Sequence, residues 1–174
     1  MNRRELLGAM SLAVFADLTR PTPARAGSQE APARPPVYPE IPTTTPAAVR
    51  APFVGIYRLA VYAPYGDTPI GRLQYDSGGR MWALLHPPGR PPLPQSPSAA
   101  DYQATYRGLV AYYGTFDVDP STSRVIHHVQ AGSNPAWFGT DFVRWYKFEG
   151  NRLILSLSAQ FTSTLTWERL PEHA

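Results

Sequence analysis

The 174-residue sequence contains no cysteine. Disulfides therefore contribute nothing to its stability, and cysteine-based zinc sites and cysteine nucleophiles are excluded. A hydrophobic run long enough to cross a bilayer is also missing, because the apolar stretch from Leu6 to Leu18 spans only about 13 residues and contains Asp17. A folded domain in this chain must rely on an ordinary hydrophobic core, for which a hydrophobic content of 43% is adequate.

The sequence also has little excess of either positive or negative charge. The chain carries 16 Lys and Arg against 13 Asp and Glu, a formal net charge of +3. The first 26 residues hold four arginines and two acidic residues, so the remainder is nearly neutral. Its basic residues form no run or stripe, which argues against a nucleic acid partner and against binding to an anionic membrane surface.

The common catalytic motifs are absent as well, including Gly-x-Ser-x-Gly, the Gly-rich phosphate loop and His-Glu-x-x-His. The histidine pair His127-His128 is the only pattern that suggests a metal. Adjacent residues on a strand point to opposite faces, so these two side chains cannot bind one ion together. We therefore expect no metal site and no cofactor.

Residues 1–26 have the features of an export signal. Arg3 and Arg4 precede the apolar run, and Ala24-Arg25-Ala26 is a small-x-small sequence that signal peptidase accepts. The sequence around the two arginines is similar to the twin-arginine pattern. We expect export in the folded state to the periplasm or the medium, with removal of the signal peptide and no integral membrane segment in the mature chain.

Residues 27–52 are rich in proline, with seven prolines and no apolar periodicity. Proline removes a backbone donor and fixes φ, which disfavours regular structure. We interpret this segment as an extended or disordered linker. It separates the signal from a domain that we place at residues 53–171.

The pattern changes to strands at residue 53. Short runs of β-branched and aromatic residues, separated by Gly, Pro, Asn and Asp, predict about eight antiparallel strands. One amphipathic helix follows the third strand, with Ser98 as N-cap, Asp101 in its first turn and Tyr102, Tyr106, Leu109 and Val110 on its apolar side. The sequence lacks the Cys…Trp…Cys pattern of an immunoglobulin sandwich. We therefore predict an all-β fold, an eight-stranded up-and-down barrel with one short helix between strands 3 and 4.

Arg144 is the unusual residue of the predicted strands. It alternates with Phe142 and Tyr146, so it lies on the face that its neighbours mark as the interior. A buried guanidinium without a partner is costly, so Arg144 must meet a carboxylate, an aromatic ring, backbone carbonyls or a ligand anion. Two alternatives stay open: Arg144 stacks on Tyr57 or Trp167 at a barrel end, or it anchors a ligand.

The candidate ligand-binding residues are polar or amphipathic side chains predicted to face the interior. His127 is the inward histidine because it alternates with Val125 and Val129, and it is either a hydrogen-bonded wall residue or an acid/base group. The loop at residues 134–139 either covers the barrel opening or forms a hydrophobic corner. Aromatic side chains with polar tips are typical of small-molecule cavities. The candidates are Tyr57, Tyr75, His127, Trp137, Arg144, Tyr146 and Trp167.

Five short motifs occur in order between residues 53 and 170. Together they resemble the bacterial and fungal lipocalin-like domain proteins, and this resemblance implies an antiparallel barrel with a cavity for a small, largely apolar molecule. Lipocalins carry Gly-x-Trp on the first strand, where this chain has Gly55-Ile56-Tyr57, so we expect Tyr57 to pack on Arg169 or on Arg144. The motifs are Phe53 to Leu59, Gly71 to Tyr75 with Gly79-Arg80-Met81, Tyr112 to Phe116, His127-His128-Val129 followed by Ser133, Pro135, Trp137, Gly139 and Arg144, and Leu165 to Arg169.

Three functions are compatible with these features. The first is an exported protein that binds a small hydrophobic ligand in the barrel. The second is a cofactor-free isomerase, cyclase or hydrolase that uses the same cavity, with His127 and Arg144 as its polar groups. The third is a structural barrel with a filled interior that binds proteins through its surface.

Overall fold

The computed structural model describes residues 41–171, and these form a closed barrel of eight antiparallel strands. Each strand pairs with its neighbours in sequence, and the last strand pairs with the first. The predicted up-and-down barrel is confirmed. Its strands are β1 (Gly55–Val61), β2 (Ile70–Tyr75), β3 (Arg80–His86), β4 (Val110–Asp119), β5 (Arg124–Gly132), β6 (Asp141–Glu149), β7 (Arg152–Ser156) and β8 (Thr164–Arg169).

Two short α-helices accompany the barrel. Helix α1 (Ala47–Arg50) precedes β1, and helix α2 (Ala99–Tyr106) lies between β3 and β4 as the sequence predicted. The start of α2 is also as predicted, because Ser98 and Asp101 form a reciprocal capping box. No helix within residues 41–171 is both long and apolar enough to cross a membrane.

The predicted apolar face of α2 is wrong. The helix buries no residue, and Tyr102 and Tyr106 are 48% and 53% exposed. The helix ends at Tyr106, and Gly108, with φ of +73°, redirects the chain so that Val110 begins β4. Residues 109 and 110 therefore cannot extend the helical face.

The hydrophobic core is the inner face of the barrel. On β1 the alternation places Tyr57 and Leu59 inside, where they are 0% and 2% exposed. Strict alternation would place Val61 on the same face, but it is 54% exposed because a register shift between Leu59 and Val61 interrupts the alternation. The core also contains Phe53, Leu73, Tyr75, Met81, Ala83, Leu85, Tyr112, Phe116, Val118, Val125, Val129, Leu153, Leu155 and Trp167.

A short 3-10 helix, Ala51–Phe53, closes one end of the barrel, so β1 begins two residues later than predicted. Phe53 is 1% exposed, and the Tyr57 hydroxyl donates a hydrogen bond of 2.8 Å to its carbonyl oxygen. The Arg169 guanidinium lies 4.9 Å from the centroid of the Tyr57 ring and also donates to the backbone carbonyls of Pro52 and Val54. The predicted packing of Tyr57 on Arg169 is confirmed.

The chain ahead of α1 lies against the outer side of β4. The Asp117 carboxylate accepts hydrogen bonds from the backbone N–H groups of Thr44 and Thr45, each 2.8 Å at its shortest, and from the Thr44 hydroxyl at 3.0 Å. Thr115 donates a bond of 2.7 Å to the carbonyl of Ile41. We call residues 41–46 the N-terminal strap.

The prediction of an extended or disordered linker is wrong for residues 41–52. Residues 41–52 were expected to be extended or disordered, yet they form α1 and the start of the 3-10 helix and bond to the barrel. The reason is that Asp117 and Thr115 offer partners for backbone groups that proline leaves unpaired. Residues 27–40 and the predicted signal at 1–26 lie outside the described residues.

Candidate functional site

The two ends of the barrel are built differently. The end that receives the N-terminus of β1 is covered by the 3-10 helix and has short strand connections. The opposite end carries the longer connections, at residues 62–69, 87–109, 133–140 and 157–163. We call it the open end. Polar side chains of the inner face extend from Tyr75, the last residue of β2 at the covered end, to Tyr112, near the start of β4 at the open end.

The centre of these polar side chains is His127, which is 1% exposed and lies between two tyrosines. Its Nε2 is 2.6 Å from the Tyr75 hydroxyl, and its Nδ1 is 2.9 Å from the Tyr112 hydroxyl. The three side chains come from β2, β4 and β5, so only the closed barrel brings them together. The predicted inward position of His127 is correct, and we call this set the Tyr-His-Tyr cluster.

Tyr112 is the member that sequence reasoning left out of the candidate set. The sequence placed Tyr112, Phe116 and Val118 on one face of β4, which is the inner face. A register shift between Tyr113 and Gly114 separates Tyr112 from the residues that follow. The alternation was a usable signal for Tyr112, but nothing local to β4 indicated that its hydroxyl reaches His127.

Burial fixes the protonation state of this cluster. It lowers the pKa of His127 well below its usual value, and the positive charge of Arg144 lowers that pKa further, so the imidazole is neutral. Burial raises the pKa of Tyr112 to about 12 and that of Tyr75 well above 10, although the charge of Arg144 acts in the opposite direction on both phenols. At neutral pH the cluster is an uncharged chain of hydrogen bonds.

Arg144 is on the inner face, as predicted. It pairs across the ladder with Val125, which is fully buried, and directly opposed residues of antiparallel strands share a face. Its guanidinium lies 5.2 Å from the centroid of the Phe142 ring and donates a bond of 2.8 Å to the carbonyl of Val143. The alternative in which Arg144 stacks on Tyr57 is wrong, because Arg169 occupies that position.

The barrel wall is incomplete beside Arg144. The ladder between β6 and β7 begins at the pair Trp145 and Ser156, so residues 141–144 have no β7 partner. On the other side they pair with β5 from His128 to Val125. Both Arg144 and Phe142 are partly exposed, whereas the residues around His127 are fully buried. Solvent therefore reaches the inner face at Arg144.

The loop after β5 folds over the open end. A 3-10 helix, Pro135–Trp137, starts at Asn134, whose side-chain oxygen accepts a bond of 3.0 Å from the Ala136 N–H. The Trp137 ring packs edge-on against Tyr112 and Phe142, with centroid distances of 6.3 and 5.5 Å. Trp137 thus lies against the Tyr-His-Tyr cluster from the side of the opening.

The remaining candidates lie elsewhere on the inner face. Tyr146 contacts Phe53 and Phe148 at the closed end, with centroid distances of 4.8 and 5.8 Å, and Tyr57 is held there by Arg169. Trp167 is 2% exposed, and its Nε1 has no hydrogen-bond partner among the described residues 41–171. The structure thus groups His127, Trp137 and Arg144 around Tyr112 and Phe142. Tyr75 links this group to Tyr57 at the closed end, with ring centroids 6.3 Å apart, and Tyr146 lies with Phe53 at that end.

The outer wall has a second histidine arrangement. His128 points outward and lies between two carboxylates, with Nδ1 2.7 Å from Asp141 and Nε2 3.2 Å from Asp117. These contacts occupy opposite sides of one ring. Through His128 they connect β5 to the Asp117 carboxylate, which also binds the N-terminal strap. No group of three or more His, Asp or Glu side chains within residues 41–171 is suited to hold a metal ion.

The neutral Tyr-His-Tyr cluster is suited to hydrogen bonding with a buried ligand and to proton transfer along its chain. Neighbouring aromatic rings supply apolar contact for a small molecule. Arg144 supplies a positive charge at the entrance. The arrangement combines an apolar lining with a few convergent polar groups, as in small-molecule sites.

Comparisons with known proteins agree with this architecture. A family model described as "Lipocalin-like domain" matches residues 57–170. The chain is also similar to the 4'-hydroxy-3'-methoxypropiophenone carrier protein ppsC of Aspergillus oryzae (strain ATCC 42149 / RIB 40), with 37% identity over 78 residues. That alignment covers 37% of this chain and 70% of the relative.

Proposed function

Because the chain belongs to the lipocalin-like domain family, we propose that it is a carrier that holds a small, mainly apolar aromatic molecule inside the barrel. The observation that carries this proposal is the Tyr-His-Tyr cluster, a hydrogen-bonded polar group among aromatic side chains inside the barrel, whose member Tyr112 adjoins the partly exposed Phe142. The carrier name of the Aspergillus oryzae relative supports it. A barrel that served only as a scaffold would be more stable with apolar residues in these positions.

We place the bound ligand between the Tyr-His-Tyr cluster and the loop that carries Trp137. Tyr75 and His127 are each 1% exposed, so the deep part of the interior is occupied by the protein's own side chains. Phe142 and Arg144 are partly exposed, and Trp137 rests on Phe142. We expect a ligand to enter beside Arg144 and to displace the Trp137 ring, which then packs on the ligand.

Intrinsic tryptophan fluorescence tests the carrier proposal. Titration with an aromatic ketone such as 4'-hydroxy-3'-methoxypropiophenone should give saturable quenching with one site per chain. The substitution Tyr112→Phe removes a cluster hydroxyl and should weaken binding about 10-fold, the usual effect of one buried hydrogen bond. Tyr102→Phe is the matched control, because Tyr102 is exposed on α2. Quenching that does not saturate, or equal effects of both substitutions, would contradict the proposal.

A second candidate function is proton-transfer catalysis in the same cavity, as in a cofactor-free isomerase or cyclase. It is favoured by His127, whose neutral ring contacts one phenol with each nitrogen and can relay a proton between them. Incubation of purified protein with a pool of candidate ligands, followed by mass spectrometry and chromatography, distinguishes the two functions. Recovery of every ligand unchanged, without isomers, would contradict catalysis.

We also propose that the protein is exported by the twin-arginine route and acts in the periplasm or the medium. The support is the sequence of residues 1–26, with Arg3-Arg4 ahead of an apolar run and Ala24-Arg25-Ala26 at its end. Expression in a bacterial host should yield mature protein beginning at Gly27 in the exported fraction. Replacement of both arginines by lysine should block export, and unchanged export would contradict this route.

A further inference from the structure

We propose that the ligand of the barrel carries an oxyanion, such as a carboxylate or an acidic phenolate, on an apolar body, and that Arg144 and one cluster tyrosine bind this group. The inference rests on the proposed carrier function and specifies the chemical class of the ligand. It follows from a count of hydrogen-bond donors and acceptors on the inner face.

The Tyr-His-Tyr cluster has one donor more than it can use. A neutral imidazole has one N–H and one acceptor nitrogen, so His127 accepts from one phenol and donates to the other. The phenol that accepts from His127 still has its own O–H proton. Within the described part of the chain, neither Tyr75 nor Tyr112 makes any hydrogen bond besides the one to His127. The surplus proton therefore has no acceptor among residues 41–171.

Two other inner-face groups are also donors. The Nε1 of Trp167 is buried and has no hydrogen-bond partner in the part of the chain that the structure describes, and an indole nitrogen can only donate. The Arg144 guanidinium has five N–H groups, and its hydrogen bond is to the Val143 carbonyl. The inner face is thus rich in donors and poor in acceptors. A ligand that complements it must supply acceptor oxygens.

The positive charge of Arg144 further indicates that the acceptor group of the ligand is negatively charged. Within residues 41–171 it forms no ion pair, and its contacts are the Phe142 ring and a carbonyl oxygen. A half-buried guanidinium is most stable opposite an anion with two oxygens. Acidic side chains of the barrel strands pair with other residues: Asp141 with His128, Glu168 with Arg58, and Asp119 with Arg124.

The positions of these groups allow one ligand to contact both. His127 is paired with Phe142 across the ladder, and the Arg144 guanidinium covers the Phe142 ring at 5.2 Å. The Tyr112 ring meets the same Phe142 ring edge-on at 5.2 Å. Arg144 and Tyr112 are therefore neighbours of one phenylalanine at the break in the wall. An oxyanion there would accept from the guanidinium, and from the Tyr112 hydroxyl when His127 donates to Tyr112.

The test compares two probes of nearly the same shape, 2-naphthoate and its neutral methyl ester. Binding of each is measured by calorimetry at pH 7.5 on the purified protein. We expect the acid to bind at least 10-fold more tightly than the ester. Arg144→Gln should weaken binding of the acid by about 10- to 100-fold, the range for a charge-assisted hydrogen bond, and change the ester less than twofold.

Arg152→Gln is the matched control, because Arg152 is an exposed arginine of β7. Arg144→Lys keeps the charge and should retain part of the preference, and thermal denaturation verifies that each variant is folded. Equal affinity of the wild type for acid and ester would overturn the inference without any variant, while the carrier function would stand. Failure of both probes to bind would overturn the inference, and saturable binding of the aromatic ketone by the same protein would show that the carrier function stands.

Discussion

The substitution Asp117→Asn tests whether the N-terminal strap is a structural part of the barrel. The Asp117 carboxylate accepts bonds from the N–H groups of Thr44 and Thr45 and from the Thr44 hydroxyl, and it contacts His128 on the other side. Asparagine keeps one acceptor oxygen but places an NH2 group where the other oxygen stood. At least one hydrogen-bond donor of the N-terminal strap then faces the NH2 group of the asparagine instead of an acceptor oxygen.

The size of the effect follows from the pKa of Asp117. Burial alone raises this pKa, but the hydrogen bonds from Thr45 and Thr44 outweigh burial and lower it from 3.8 to about 2. One pKa unit corresponds to about 1.4 kcal/mol, so the ionised carboxylate contributes about 2 kcal/mol to folding at neutral pH. Because the folded-state pKa is the lower one, this contribution is present above pH 4 and is lost as the pH falls toward 2.

Urea denaturation followed by tryptophan fluorescence measures the effect. At pH 7 the free energy of unfolding of Asp117→Asn should fall by about 2 kcal/mol, which lowers Tm by roughly 5–10 °C for a domain of this size. Between pH 4 and pH 2 the variant should lose less stability than the wild type. Asp67→Asn is the control, because Asp67 is exposed. Equal stability of the two variants at pH 7, or identical acid profiles of wild type and Asp117→Asn, would refute the assignment.

Three further predictions concern the barrel itself. Gly114→Ala should cost about 3 kcal/mol or more, because a β-carbon there would overlap a carbonyl oxygen of β5. Gly150→Ala, with open space around φ of +59°, should cost only about 1–2 kcal/mol. Tyr57→Phe should lower the free energy of unfolding by about 1 kcal/mol, since a buried carbonyl loses its donor, and thermal denaturation measures this. The pKa of His127 is lower in the folded than in the unfolded protein, so the free energy of unfolding should fall as the pH drops below about 6.5, by up to about 1.4 kcal/mol per pH unit. The substitution His127→Gln should abolish this pH dependence. An unchanged pH dependence in the variant would contradict the assignment to His127.

Local features were predictable because they depend on residues close in sequence. The capping box of Ser98 and Asp101 and the inward side of His127 follow from three-residue spacing and from strand alternation. The packing of Arg169 on Tyr57 was expected from the family resemblance. The exposed face of α2 was missed because amphipathic spacing indicates which side is apolar, not whether anything packs against it.

The candidate site was predictable only in part. Tyr75, His127, Trp137 and Arg144 were named from alternation and side-chain chemistry, and the structure groups them. Tyr112 was not named, because its role depends on a contact with β5. The strap contacts at Asp117 were missed for the same kind of reason, since the partners are 72 and 73 residues apart in sequence.

The sequence by itself determined the strand pattern, the inner and outer face of most strands and the presence of a cation on the inner face. These properties depend on period-two alternation, in which each residue constrains its immediate neighbours. Only the tertiary structure decided which inner side chains meet. Closure of the barrel and a one-residue shift beside Gly114 set the register between strands, and that register places two tyrosine hydroxyls on one histidine.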